Sequence, residues 1–435
     1  MPPRSENSVI QAMQQLAEKM HQNEYSRREA VFEQSKTKEE IDRVIYNHSI
    51  SHQELSNVCG LSINTMKEKY AQAVEQGVIE PVIKVGNKWK YTLEHTHLLM
   101  DWLQRPKWQD KHQMCHVVNV QNQKGGTGKS TTTISLAAEL ALNLRERLRV
   151  GVIDLDPQGS LRNFVAAETL DEQCDILTVV DLMVGEQEPD SAYAFLKQQG
   201  QTHEEILNLS LLDTHIPNLK IIPSYPSDER FSSLAWMSFA QTQHMQEFVP
   251  LLKEKVIEPL KQQFDLILID TGPHINPLTW SALYAANGLL VPITPKKLDW
   301  MSTQQFIESL PDQLLNLPEG KEELLWFKAI ATNYDDENYR DKPILDELKD
   351  VLGRHLFNPC IKRSTAFEVA SRYYRTVVDI LPSEKLCSTR QLSKANDSIK
   401  NAARELLLHL IDVEMQQKEL QQQQKVTQKE LSYAD

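Results

Sequence analysis

A strand-like run, a glycine-rich turn and a helical run meet at residues 116–144, and no other stretch constrains the fold as much. The turn reads Gln123-Lys124-Gly125-Gly126-Thr127-Gly128-Lys129-Ser130, with HVVNV before it and TTTISLAAELALNL after it. This order lets backbone N–H groups wrap a chain of phosphates while the helix N-terminus adds partial positive charge. In such a loop Lys129 reaches the β- and γ-phosphates and the Ser130 hydroxyl binds Mg²⁺. Gly125, Gly126, Thr127, Gly128 and Thr131 complete the cradle. ATP and Mg²⁺ are therefore the expected ligands. The standard pattern GxxxxGK[ST] would place a glycine at 123, where this chain has Gln123, and a second lysine, Lys124, follows.

Around that loop, residues 116–385 alternate short apolar runs with helical patterns. HVVNVQN, RVGVIDLD, NLKIIPS, DLILIDTG, GLLVPITP and FKAIATN are the runs. The alternation predicts an α/β fold, a P-loop NTPase with a mostly parallel sheet flanked by helices. Ligand loops in such sheets lie at the carboxyl ends of strands. Asp154 and Asp156 end one run, before Pro157 and Gly159. Asp270 ends another, before Thr271-Gly272-Pro273. Pro295 lies in VPITPKKLDWMS and Asn333 in ATNYD.

The loop KGG-x-GK[ST] resembles the deviant phosphate loop of the ParA/MinD superfamily, and the chain is identified as a member of its ParA branch. The turn after Asp154 resembles the family's DxDPQG switch, and VPITPKKL resembles its VPxxP-x-x-L segment. The likeness covers about 116–410. It implies that Lys124 reaches across a homodimer interface to the partner's phosphates. It further implies that Asp156 positions the attacking water, that Asp154 supports the Mg²⁺ site, and that Asp270 is the Walker B aspartate at the metal. Lys124, Lys129, Asp156 and Asp270 are thus the expected catalytic set, for a weak intrinsic ATPase. Pro295 and Asn333 are candidates for the adenine pocket, ordinary strand-end polarity being the competing reading. Residues 361–380 resemble the family's DNA-contacting segment. Arg363 is the best match by position, and Arg372, Arg375, Lys400 and Arg404 extend the patch. Phosphate contacts of this kind carry no sequence information.

Ahead of the ATPase region, residues 1–40 predict a helix over 7–33, with Val9, Met13, Leu16 and Met20 at spacings of three and four. It either pairs with a second copy or folds back on its own chain. Residues 41–110 have helix-turn-helix spacing around Gly60, with Ser51 and Ser62 as N-caps. A hairpin follows, with Gly86-Asn87 at its turn. Together these predict an N-terminal helical winged helix-turn-helix domain, in which Asn64, Thr65 and Lys67 would touch DNA. A helical protein-interaction domain is the alternative. The ATPase unit is expected over 111–412, with a helix from about Ala395. The Gln-rich residues 413–435 are expected to be a frayed or disordered tail without function. Joined to the ATPase, the N-terminal unit resembles the larger, type Ia form of ParA. That form implies autorepression at an operator and a ParB-like centromere-binding partner that stimulates hydrolysis. It leaves open assembly beyond the dimer on DNA.

Charge needs local reading. The chain carries −13 overall, a poor match to nucleic acid. From Arg354 to Arg404, however, ten Lys/Arg stand against four Asp/Glu, and phosphate attraction depends on such a face. Five cysteines without a CxxC pair fit a reducing cytoplasm. The first residues show no signal-like apolar run, and no stretch approaches ~18 apolar residues. The expected place is the nucleoid, not a membrane. A MinD-like membrane ATPase would need a basic amphipathic C-terminal helix, which the Gln-rich tail lacks. A reductase like the nitrogenase iron protein would need cluster-ligating cysteines on the sheet's loops, and Cys174 and Cys360 sit in no such motif. A transcriptional repressor that only senses nucleotide would have no use for Asp156 and Asp270.

Overall fold

The apolar runs pair as strands in the computed structural model, which describes residues 8–34, 42–85, 88–165, 176–242 and 247–432. Three strands near the N-terminus, β1 (Ile50–Ser51), β2 (Ile83–Val85) and β3 (Lys88–Tyr91), make a small antiparallel sheet in the order β1-β3-β2. The other seven are β4 (His116–Val120), β5 (Val150–Asp154), β6 (Leu212–Asp213), β7 (Leu219–Ile222), β8 (Leu266–Asp270), β9 (Gly288–Ile293) and β10 (Trp326–Ala331). They form one sheet in the order β10-β9-β4-β8-β5-β7-β6. Every pairing is parallel except that of β6 with β7. The predicted fold class is the one found. β6 escaped the sequence reading because two residues give no period to read.

β4, β5, β8 and β9 are buried at every position. Helices cover both faces, so these strands read as continuous apolar runs. Successive residues still feed opposite cores. Val118 and Leu268 pack with Ile134, Leu136 and Leu140 of the phosphate-loop helix (Lys129–Ala141) and with Leu406 of the C-terminal helix (Thr389–Ser432). Val117 and Ile267 pack with Phe231, Leu252 and Leu278 on the other side. Burying one such side chain contributes ~1.5–3 kcal/mol, and the paired layers hold the strand ends that carry the site.

The N-terminal elements are α1 (Ser8–Gln34), α2 (Arg43–Asn47), α3 (His52–Cys59), α4 (Ile63–Glu75) and α5 (Leu93–Trp102). Ser51 and Glu54 form a capping box on α3, and the Ser62 side chain accepts from the Thr65 N–H to cap α4. Between these helices Gly60 takes φ +64°, a left-handed turn that a side chain would strain. Leu55, Met66, Tyr91 and Leu99 form their common core. The expected turn at Gly86-Asn87 lies outside the described residues. Met13, Leu16 and Met20 of α1 are exposed, so this part of the helix does not fold back. Its other half does rest on the ATPase body: Arg28 donates to the Val165 carbonyl at 2.9 Å and Tyr374 donates to Glu24 at 2.5 Å.

The C-terminal helix begins at Thr389, six residues before the expected Ala395, and runs unbroken to Ser432. The start of the expected tail belongs to the packed body. Val413 is buried, and Glu414 accepts from the Gln113 N–H at 2.9 Å and pairs with His112 at 2.8 Å.

Candidate nucleotide-binding site

The phosphate loop hangs from the end of β4 and is pinned from both sides. Asn122 donates to the Pro292 carbonyl at 2.8 Å and accepts from the Lys124 N–H at 3.0 Å. Gly126 and Gly128 take φ +76° and +77°, which turns the backbone into a concave nest. Lys129, nearly buried, donates to the Lys124 carbonyl at 3.3 Å. Burial pulls its amine below the usual lysine value, with Asp270 and Asp156 opposing. The Thr332 hydroxyl, buried at the end of β10, donates to the Thr127 carbonyl at 2.7 Å. Sequence reasoning missed Thr332; its one signal was its place beside Asn333 at a strand end.

Asp154 and Asp270 face each other as register partners at the ends of β5 and β8. Asp154 accepts from the Asp156 N–H at 3.0 Å and from the Leu161 N–H at 3.2 Å. Both oxygens hold the turn, so Asp154 supports the site by shaping it. In that turn Gly159 has φ +61°, and a Cβ there would fall 2.4 Å from the Ser224 carbonyl oxygen. Burial, then the neighbouring Asp270, raises the Asp154 carboxyl well above its ordinary value. Asp270 is fully buried. One oxygen accepts from the Thr133 hydroxyl at 3.2 Å, and the other, Oδ2, has no protein partner. Burial pushes its carboxyl up to about 7, against the pull of Ser130 and Lys129. A buried carboxylate oxygen without a donor, beside the Ser130 hydroxyl, fits a hard cation such as Mg²⁺.

Lys129 and Ser130 line one cleft of 690 Å³, together with Gly125, Gly126 and Asp156, while Asp154 and Asp270 lie buried behind it. Asp156 is half-buried and accepts from the Gln158 N–H at 3.0 Å. Lys124 stands apart: its Nζ lies 3.7 Å from Asp299 and its side chain is 40% exposed. Pro295 is buried beyond β9 and Asn333 is half-buried at φ +51° beyond β10; neither lines this cleft. Glu24 of α1 does, which no sequence signal indicated.

Residues 115–315 match the family described as an AAA domain. Plasmid partition protein A of Escherichia coli is 28% identical over 342 residues, covering 76% of this chain and 81% of that protein. Sporulation initiation inhibitor protein Soj of Bacillus subtilis is 24% identical over 271 residues, covering 61% and 91%. A solved structure of a partition protein has a TM-score of 0.63 at 20% identity, covering 85% of this chain and 94% of its own; it shares the fold. In sequence the chain is similar to these ParA-type partition proteins.

The chain does not present all the expected DNA residues as a free basic face. Arg375 is a correction: it is 4% exposed, pairs with Glu384 at 2.8 Å and lines the nucleotide cleft. Arg363, Arg372, Lys400 and Arg404 are exposed. Acids outside the counted segment meet part of its charge. Asp336 takes Lys362 at 3.0 Å and Lys394 at 2.5 Å, Glu337 takes Arg390 at 2.6 Å, and Asp335 lies 3.8 Å from Arg363. On α4, Asn64 and Lys67 are exposed. The Thr65 hydroxyl bonds Ser62 at 2.8 Å, so it serves the cap. Among the described residues no helix is long and apolar enough to cross a membrane.

Proposed function

We propose that this chain is a ParA-type DNA-partition ATPase: it binds ATP, dimerises, holds DNA without sequence preference and hydrolyses ATP to position a plasmid or chromosome. The observation that carries this reading is the buried Asp270 carboxylate, acted on by Ser130 and Lys129 and with Oδ2 lacking a hydrogen-bond partner, under a loop whose extra lysine lies outside its own cleft. Ser130 and Asp270 would hold Mg²⁺, which neutralises charge on the β- and γ-phosphates. Lys129 and the loop amides bind those phosphates. Asp156, on a turn fixed by Asp154, orients the water. Lys124, held here only by a long contact with Asp299 at 3.7 Å, is free to swing to the phosphates of a second copy. Arg363, Arg372, Lys400 and Arg404 would contact DNA phosphates.

A second activity, autorepression, is supported by the two capped helices around Gly60, with Asn64 and Lys67 exposed near the start of the second. The exposed apolar stripe of α1 supports pairing with a second copy. By family resemblance, a ParB-like protein stimulates hydrolysis. The test measures ATP turnover with and without DNA and the protein encoded immediately downstream, alongside retention on DNA under ATP and ADP. Turnover that ignores both, or retention that ignores nucleotide, would refute the reading.

A further inference from the structure

Three side chains from distant parts of the chain converge outside the nucleotide cleft. His48 follows α2, His215 lies in the turn between β6 and β7, and Asp379 ends the short turn Val377–Asp379. His48 Nε2 lies 2.7 Å from Asp379 Oδ1, and His215 Nε2 lies 2.8 Å from the same oxygen. The two rings stack nearly parallel, 5.7 Å apart at 11°. Both Nε2 edges therefore face one point. We propose that His48, His215 and Asp379 form a site for a divalent transition-metal cation of the zinc class, which staples the N-terminal unit to the ATPase body.

The donor set selects the ion. Two imidazole nitrogens and one carboxylate oxygen suit Zn²⁺ and its neighbours, whereas Mg²⁺ prefers oxygen throughout. The site is thus chemically distinct from the one at Ser130 and Asp270. Spacing allows it: the three ligand atoms lie within 4.8 Å of one another. A zinc-class ion sits ~2.0–2.1 Å from each donor. Donors now at hydrogen-bond distance need to part by only about half an ångström to admit it. Asp379 is pre-set for the role. Its Oδ2 accepts from the Thr376 N–H at 2.6 Å and hydroxyl at 2.7 Å, which aims Oδ1 at the rings. The surroundings are nearly dry: Asp379 is fully buried, and His48 and His215 are 9% and 18% exposed. Each imidazole binds through a deprotonated Nε2, its proton residing on Nδ1, and any excess proton leaves to solvent.

The test uses the untagged full chain, stripped with a chelator and free of nucleotide, titrated with Co²⁺ as a coloured stand-in. One equivalent should bind with a visible d–d absorption that Zn²⁺ bleaches, and Zn²⁺ should raise the Tm. Asp379→Asn also disturbs the Thr376 turn, so His48→Gln and His215→Gln decide the matter. Each should weaken Co²⁺ by roughly tenfold or more, abolish the Zn²⁺ effect on Tm, and leave the metal-free circular dichroism unchanged. No uptake by the wild type, or wild-type binding that survives either substitution, overturns the site.

Discussion

The hydroxyl of Thr332 is the contact whose loss should be felt furthest from its own position. It is buried and donates at 2.7 Å to the carbonyl of Thr127, in the middle of the phosphate loop. Thr332→Val keeps the shape and removes only the donor, so the carbonyl is left buried without it. Such a deletion costs ~1–3 kcal/mol. Because the loop amides that meet phosphate belong to the same turn, part of that cost should appear in ligand binding. About 1.4 kcal/mol is tenfold in affinity, so ATP-Mg should bind roughly 5–10-fold more weakly. The Tm should fall by a few degrees, at ~2–4 °C per kcal/mol. Thr332→Ser, which keeps the hydroxyl, should restore most of both. Equilibrium binding of a fluorescent ATP analogue and a thermal melt give the two numbers. If Thr332→Val binds and melts like the wild type while Thr332→Ser is worse, the contact does not hold the loop.

Lys124→Gln should keep ATP binding through Lys129 and the loop amides but lose the ATP-dependent dimer; sedimentation with ATP reads it, and an unchanged dimer would remove the cross-subunit role. Asp156→Ala should bind ATP and dimerise yet turn over slowly and stay on DNA, so near-normal hydrolysis with DNA and its partner contradicts the assignment. Arg363→Ala with Arg372→Ala should weaken ATP-dependent binding to any duplex and flatten its salt slope by about one unit per lost phosphate contact; an unaltered slope clears both residues. Glu139, on the phosphate-loop helix, is pushed up to about 7 by burial, with Lys400 opposing. Its folded value lies above its unfolded one, so its contribution is full below pH ~4.5 and lost as pH rises through ~7. Glu139→Gln should therefore gain ~1–3 kcal/mol over the wild type at pH 8 and little at pH 4.5, by denaturant melts.

The sheet was legible because its central strands are buried on both faces and read as apolar runs, two of them ending in Asp154 and Asp270. The loop was legible because phosphate binding needs glycine where φ is positive. What the sequence hid depends on partners far along the chain. Arg375 looked like one more basic residue until Glu384 was found beside it. The excess charge of 354–404 looked free because the acids that meet it, at 335–337, lie outside the window. Thr332 carried no pattern, since one hydroxyl at a strand end is ordinary until the loop it touches is known. The tail was misjudged because Gln-rich composition describes residues after about 415, not Val413 and Glu414, which pack.

One short segment joins the two halves of the molecule. Arg375, Thr376 and Val377 line the nucleotide cleft. Two residues on, Asp379 meets His48, and its carbonyl accepts from Asn47 at 2.8 Å. Glu384 takes both Arg375 and Asn47, at 2.8 and 2.6 Å. A displacement of this segment on nucleotide binding must therefore move or break contacts with α2, at the entrance to the unit that carries Asn64 and Lys67. Spatial continuity alone does not establish coupling; a nucleotide-dependent difference in promoter binding does. Asn47→Ala removes the bonds to the Asp379 carbonyl and Glu384 without touching the phosphate loop. It should leave ATP affinity near the wild-type value and reduce the ratio of promoter affinities measured with ADP and with ATP. Gel shifts on promoter and scrambled duplexes supply that ratio. If it stays at the wild-type value in Asn47→Ala, nucleotide state reaches the N-terminal unit by another route, with α1 and its Glu24 at the cleft as the next contact to cut.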